Sequence, residues 1–196
     1  VVYRINRRIL QVKGKNKKIP KLETERLILK ELTRDDSKAL FEHWSNEEVT
    51  KFMNIEPFST VAEVISMIDL LNNLFEKDEA IRWGIFKKDT KELIGTCGFN
   101  SGLGEENFIG EIGYELGRKF WGKGFMKEAL NVVIRYGFNT LNLNRIEAYV
   151  MLNNEKSSKL LEQLGFHREG ILREYGCYKG RFWDEYIFSL LKRDKI

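Results

Sequence analysis

The segment Ile112-Gly-Tyr-Glu-Leu-Gly-Arg-Lys-Phe-Trp-Gly-Lys-Gly-Phe-Met-Lys-Glu-Ala-Leu130 constrains this chain most. An apolar strand pattern runs into a Gly-x-Gly turn at Gly122 and Gly124, and an amphipathic helix starts directly after it. Such a chain must set a helix N-terminus at the end of a strand. The first N–H groups of a helix have no internal partner, and its dipole places partial positive charge there. Glycines let a backbone approach an anion closely. Lys119 and Lys123 add charge, and no acid lies between Lys119 and Lys127. The pattern points to a phosphorylated ligand.

The 196 residues fit one domain, and the apolar and aromatic content is enough for a sizeable core. The apolar runs are too short to span a bilayer, and no signal-peptide pattern opens the chain. Cys97 and Cys177 make no disulfide framework, and with His43 and His167 they make no zinc spacing. Reduced thiols in a cytoplasmic protein, with no metal, are expected. The net charge of +4 is unevenly placed. Residues 1–21 hold eight basic residues and no acid; with those removed from the 33 basic residues, 25 face 29 acidic ones and the remainder carries −4. We read 1–21 as a basic N-terminal extension, solvated or partly ordered, and 22–196 as the domain. The extension has the charge to touch a polyanion, but such runs usually stay solvated, and the acidic body argues against nucleic acid as the main ligand.

Hydrophobic periodicity places the elements. Residues 22–32 read as a strand, with Leu27 and Leu29 on one face and Ile28 on the other. Thr33–Asp36 and Thr60–Glu63 are capping boxes, and the second opens a helix with Val64, Ile68, Leu71 and Phe75 at helical spacing. A hairpin follows, 80–86 and 93–99 around a polar turn, then a loop at 101–107. Strand 108–116 leads into the Gly-x-Gly turn. The helix after it buries Met126, Ala129, Leu130, Val133, Ile134 and Phe138. Strand 145–151, helix 155–164 with Gly165 as its C-cap, and strands 167–173 and 183–191 close the chain. This order is mixed α/β: a central sheet with at least one parallel pair, covered by helices.

Five elements in order, Leu22-Glu-Thr-Glu-Arg-Leu-Ile-Leu29, Glu111-Ile-Gly-Tyr114, Trp121-Gly-Lys-Gly-Phe-Met-Lys-Glu-Ala129, Asn154-Glu-Lys-Ser157 and Leu164-Gly-Phe166, carry a resemblance. Over residues 22–192 the chain resembles the GNAT superfamily of acetyl-CoA-dependent N-acetyltransferases. Within it, the chain is similar to the RimJ/RimL-type branch that acetylates N-termini of ribosomal proteins. The resemblance implies a single GNAT-like domain, α/β, whose mixed central sheet splays at the cofactor site, with helices on both faces. The pantetheine arm of acetyl-CoA would lie in the V-shaped gap.

The resemblance also assigns roles. Backbone N–H groups from Phe120 through Trp121, Gly122, Lys123 and Gly124 to Phe125 would hold the pyrophosphate. Lys119 stands where the superfamily has Arg or Gln. Leu116 ends the strand whose unpaired backbone would meet the pantetheine amides, and an N–H near it would face the oxyanion. Asn154 would cap the next helix and bond the cofactor arm. Ser157 would protonate the leaving thiolate.

Glu111 lies within an apolar strand, where a carboxylate is either near a cleft or paired. It is the candidate base that takes the proton from an ammonium, directly or through water. Glu115, on the same face, is second choice; Tyr114 points the other way and reads as packing. Trp44, Phe52, Met53 and Trp83 are candidates for the acceptor site, and Asp184 for meeting a cationic substrate or making a turn. His43, His167 and Cys97 read as structural.

Three functions follow. The first is acetyl transfer to a protein N-terminal α-amine, such as that of a ribosomal protein. The second is transfer to a polyamine or aminoglycoside, for which Glu42, Glu47, Glu48 and Glu56 are available. The third is a non-catalytic CoA-binding or ribosome-associated module. The expected partner is an amine acceptor, with no specific nucleic acid and no membrane, and the chain a monomer or homodimer.

Overall fold

The computed structural model describes residues 17–103 and 108–195. One eight-stranded sheet organises them, in the order β1-β2-β3-β4-β5-β6-β8-β7. The strands are β1 (Leu22–Glu23), β2 (Leu27–Lys30), β3 (Ile81–Lys87), β4 (Leu93–Ser101), β5 (Ile109–Leu116), β6 (Arg145–Met151), β7 (His167–Tyr178) and β8 (Arg181–Leu191). Every neighbouring pair is antiparallel except β5 and β6. The helices are α1 (Ser37–Trp44), α2 (Glu47–Thr50), α3 (Val61–Glu76), α4 (Phe125–Asn139) and α5 (Glu155–Gln163).

Alternation along the strands gives each face its own core. Trp83, Cys97, Phe99 and Ile112 face α4 and α5 and pack with Leu130, Ile134 and Leu161. Phe86 and Leu93 face the other way and pack with Leu40, Trp44, Val64 and Ile68 of α1 and α3. Six residues of α4 recurring at three and four, Met126 through Phe138, are all buried, and each fully buried aliphatic side chain contributes about 1.5–3 kcal/mol. Helices therefore cover both faces of a mixed sheet.

Differences from the sequence reading are local. Residues 22–32 form two short strands, because the Thr24 hydroxyl accepts the Leu27 amide at 3.0 Å and turns the chain. The four-residue helix α2 is too short to show a period; Asn46 caps it, accepting the Glu48 amide at 2.9 Å. β7 and β8 run longer than their apolar patterns and form a hairpin, turned at Lys179 and Gly180 with φ of +51° and +71°. Residues 1–16 of the basic segment lie outside the described residues. Lys17–Lys21 runs along the sheet, with Ile19 in the core and the Pro20 carbonyl accepting the Trp83 indole N–H at 2.7 Å.

One feature of the sheet positions everything that follows. β5 and β6 pair only at Ile109, Gly110 and Glu111, against Arg145, Ile146 and Glu147. Beyond those three rungs the strands diverge, and the sheet is split from Ile112 onward.

Candidate active site

The backbone of β5 looks into this split. The Gly117 amide donates to Ile94 on β4 at 2.9 Å. Alternation turns the main-chain groups of Glu115 and Gly113 toward β4 as well, and leaves those of Tyr114 and Leu116 facing the gap. The Leu116 carbonyl accepts the Trp121 indole N–H at 2.7 Å. The Leu116 amide and the main chain of Tyr114 have no protein partner among the described residues.

After β5 the chain makes a 3-10 turn, Arg118–Phe120, and enters the glycine turn. Phe120 donates its amide to Gly117 at 2.9 Å and Trp121 to Arg118 at 3.3 Å. These two amides are therefore spent inside the turn, which corrects the expectation that donors run from Phe120. Among the described residues the amides from Gly122 to Lys127 carry no protein partner; the first bond of α4 is Glu128 N–H to Gly124 at 3.1 Å. Gly122 and Gly124 have φ of +73° and +75°, where a side chain is strained. A Cβ on Gly122 would meet nothing within 4 Å, and one on Gly124 only Arg26, at 3.6 Å. The glycines serve the turn's conformation and keep its amide face clear, which fits a pyrophosphate.

The charges around the turn differ from expectation. Lys119 pairs with Glu92 of the β3–β4 turn at 2.8 Å, a bond that raises its pKa, so its ammonium is turned from the glycines. Lys123 is exposed. Arg26, which the sequence reading passed over, lies against the turn: its guanidinium is 4.6 Å over the Phe125 ring and donates to the Lys123 carbonyl at 3.2 Å. Glu128 holds it there, accepting from Arg26 Nε at 2.6 Å and from the Thr24 hydroxyl at 2.5 Å. Partial burial works to raise the Glu128 carboxyl pKa, but these bonds bring it below its ordinary value. Phe120 and Phe125 are buried supports, and the Trp121 ring lies between the cations of Arg118 and Lys156, at 4.7 and 4.5 Å.

On the far side of the split, Asn154 caps α5, accepting the Ser157 amide at 3.3 Å. The Ser157 hydroxyl is 2.7 Å from the Tyr114 phenol. Tyr114 thus spans the split as well as packing beside it. Burial pushes its pKa up to about 12, against the opposing bond from Ser157, so the phenol keeps its proton at any physiological pH.

The opposite face of the same strands is polar. Glu111 is half-buried and accepts from Asn100 Nδ2 at 2.9 Å. Glu115 is 7% exposed and saturated: Arg82 pairs with it, the Thr96 hydroxyl donates at 2.5 Å and the Trp44 indole at 3.2 Å. A carboxylate so held is a structural group, and it drops out as second choice for a base. Trp44 and Trp83 are buried in the two cores and do not line an acceptor site; Phe52 and Met53 stay half-exposed beside α2. Asp184 ties an irregularity of β7, accepting the Glu174 amide at 2.8 Å. Its neighbour Glu185 is a second buried acid of this face, near Tyr178, with Tyr149 stacked on Tyr175 at 5.0 Å. A cavity of about 390 Å³ between α2 and the β7–β8 tip is lined by Glu47, Glu48, Glu56, Lys51, Pro57 and Lys179. Glu42 lies outside it, near Lys119.

His43 is buried, its Nε2 3.1 Å from the Leu93 carbonyl and its ring edge-on to Phe120. His167 is exposed. Burial pushes the Cys97 thiol up to about 12, so it is no nucleophile at neutral pH. Among the described residues no cluster of His, Cys, Asp or Glu could hold a metal, and no helix is long and apolar enough to cross a membrane.

A sheet split beside a strand-turn-helix anion cradle, with a hydroxyl pair bridging the split, fits the acyl-CoA-dependent transferase that the sequence resemblance implies. Residues 26–167 match the model of the acetyltransferase (GNAT) domain, and the chain belongs to that family as an acetyl-CoA-dependent N-acetyltransferase. It is 51% identical over 173 residues to the uncharacterized N-acetyltransferase p20 of Bacillus licheniformis, covering 88% of this chain and 97% of that one. It is 34% identical over 127 residues to the ribosomal protein uS5-alanine N-acetyltransferase of Escherichia coli, covering 65% of this chain and 66% of that one. The crystal structure of a ribosomal-protein-S5-alanine acetyltransferase from Vibrio fischeri superposes with a TM-score of 0.76 at 26% identity, covering 90% of this chain and 98% of that one. Membership sets aside the reading as a non-catalytic module.

Proposed function

We propose that the chain acetylates the N-terminal α-amine of a protein, of the ribosomal-protein type. The observation that carries this reading is the hydroxyl pair Tyr114–Ser157, 2.7 Å apart across the split, with a tyrosine- and carboxylate-lined face next to it. The uS5-alanine acetyltransferases among its relatives support the acceptor class. An α-amine has an ordinary pKa of about 8 and is partly neutral at pH 7, so removing its proton costs little.

Acetyl-CoA supplies the activated thioester when bound. The amides of Gly122 to Phe125, with Lys123 and Arg26, would bind its pyrophosphate, and Asn154 and the free edge of β5 its pantetheine arm. The acceptor enters from the face of Glu111. Its nitrogen attacks the thioester carbonyl, whose oxygen the Leu116 amide receives as charge develops. Ser157, itself bonded to the proton-retaining Tyr114, protonates the departing thiolate. Free Cys97 and Cys177 fit a reducing cytoplasm.

The acid-lined cavity beside α2 favours a second reading, a small polyamine or aminoglycoside acceptor. CoA release across peptides, polyamines and aminoglycosides separates the two. We expect turnover with free N-terminal peptides and none with the same peptides N-acetylated. Turnover confined to polyamines or aminoglycosides would overturn the peptide reading.

A further inference from the structure

Glu185 is 2% exposed, yet it lies on the face by which the acceptor is proposed to enter. Register puts it there: Glu111 pairs with Glu147, Glu147 with Ser189, and Met151 with Glu185, so these side chains share one face. Two other acids of this face have cations, while Glu111 accepts from the Asn100 amide. Arg82 answers Glu115 and Arg145 answers Glu147. Glu185 has no such partner among the described residues.

β7 departs from regular pairing beside this carboxyl in three ways. The β7–β8 register slips between Leu172 and Gly176. Glu174, within that bulge, has φ of +50°, and its amide is tied to Asp184 at 2.8 Å. At Gly176 a Cβ would stand 2.9 Å from the Glu185 carboxyl carbon and 2.3 Å from the Tyr178 ring, so only glycine admits both groups. The β7 bulge thus lies beside one buried, cation-free acid, and its glycine leaves the room that acid occupies.

The titratable groups facing Glu185 are Tyr178 from β7 and Glu111 from β5. Its register partner on β6, Met151, is uncharged; farther along β6, Tyr149 donates to Glu147 at 2.8 Å. At the hairpin tip Lys179 faces Glu56 at 3.7 Å. Burial raises the Glu185 pKa, the Tyr178 bond partly offsets this, and the charge of Glu111 adds to it.

We propose that Glu185 is the group that takes the proton from the acceptor ammonium, while Glu111, oriented by Asn100, holds that ammonium beside it. This rests on the proposed transfer to a primary amine. One N–H bond of the ammonium breaks and an O–H bond forms on Glu185. The freed nitrogen lone pair forms the C–N bond, the C–S bond breaks, and the second amine proton reaches the thiolate through Ser157. Glu185 then returns its proton to water, so each turnover yields amide, CoA thiol and one proton.

The test is the pH dependence of kcat and kcat/KM with an N-terminal peptide, for the parent and Glu185→Gln, Glu111→Gln and Tyr178→Phe. Activity must rise with pH as Glu185 ionises, and this limb lies above the ordinary carboxylate range. Glu185→Gln is expected to lower kcat by about 10²–10⁴-fold and to remove the limb, with KM for acetyl-CoA unchanged. Its Tm should equal or exceed the parent's, because the folded state no longer carries a carboxylate whose pKa burial raises. Glu111→Gln is expected to raise KM for the peptide and to move the limb to lower pH. Tyr178→Phe removes a bond that favours the carboxylate and moves it to higher pH. Parental kcat and limb in Glu185→Gln would overturn the proposal, and so would a loss confined to KM with a fallen Tm. If Glu185→Gln does not fold, an unmoved limb in Tyr178→Phe overturns it equally. A parent with no transfer to any amine would instead defeat the functional reading itself.

Discussion

The two walls of the cleft are made of different material. In the proposed reading the acetyl-CoA wall is main chain: the amides after Gly122 and the free edge of β5. The acceptor wall of that reading is side chain, brought from β3, β4, β5, β6, β7 and β8. A main-chain wall needs only a path, which a few glycines and a strand end can specify. A side-chain wall needs registers to be right across several strands, and each of its acids must be either answered by a cation or left for chemistry.

The largest effect we expect tests the answered kind. Arg82→Met leaves Glu115 buried without its cation and should cost about 3–5 kcal/mol of stability in denaturant unfolding. A loss below 1 kcal/mol would mean that water reaches Glu115 and that this wall is softer than its geometry. Next comes the main-chain wall. Gly124→Glu combines a strained φ with negative charge over the amides, and acetyl-CoA binding by calorimetry should weaken by more than about 100-fold, or about 2.7 kcal/mol. Parental affinity would place the pyrophosphate elsewhere. Ser157→Ala should lower kcat by about tenfold, less than most acid–base groups contribute, because a thiolate leaves readily; KM for acetyl-CoA should hold. The smallest effect belongs to Lys119→Ala, an exposed lysine already paired with Glu92. Stability should change by less than about 1 kcal/mol and the affinity for acetyl-CoA hardly at all. A large loss of affinity would return Lys119 to the phosphate site.

This contrast also sets what could be read from the sequence. The glycine turn, its helix and the capping asparagine were legible because each is specified within a few neighbouring residues. Alternation put Glu111 and Glu115 on one face, but it carries no information on what lies opposite, and Arg82 and Thr96 decide that only Glu111 is available. The last strand offered two adjacent acids. Asp184 attracted notice and proved to tie a bulge, while Glu185 needed the β6–β8 register to be seen. Arg26 reaches the turn only because Thr24 and Glu128 fold its short hairpin onto α4, a contact spanning 102 residues. Trp83 looked like a pocket aromatic and is core, since its indole finds the Pro20 carbonyl.

The split sheet gives the protein a gauge of its own occupancy. On β5 the amides of Gly113 and Glu115 are tied to β4, while those of Tyr114 and Leu116 face the gap. In hydrogen exchange the four should alternate, slow and fast along one strand. Acetyl-CoA, lying where a neighbouring strand would, should erase that alternation residue by residue, so a single strand would report whether the enzyme is loaded before any amine arrives.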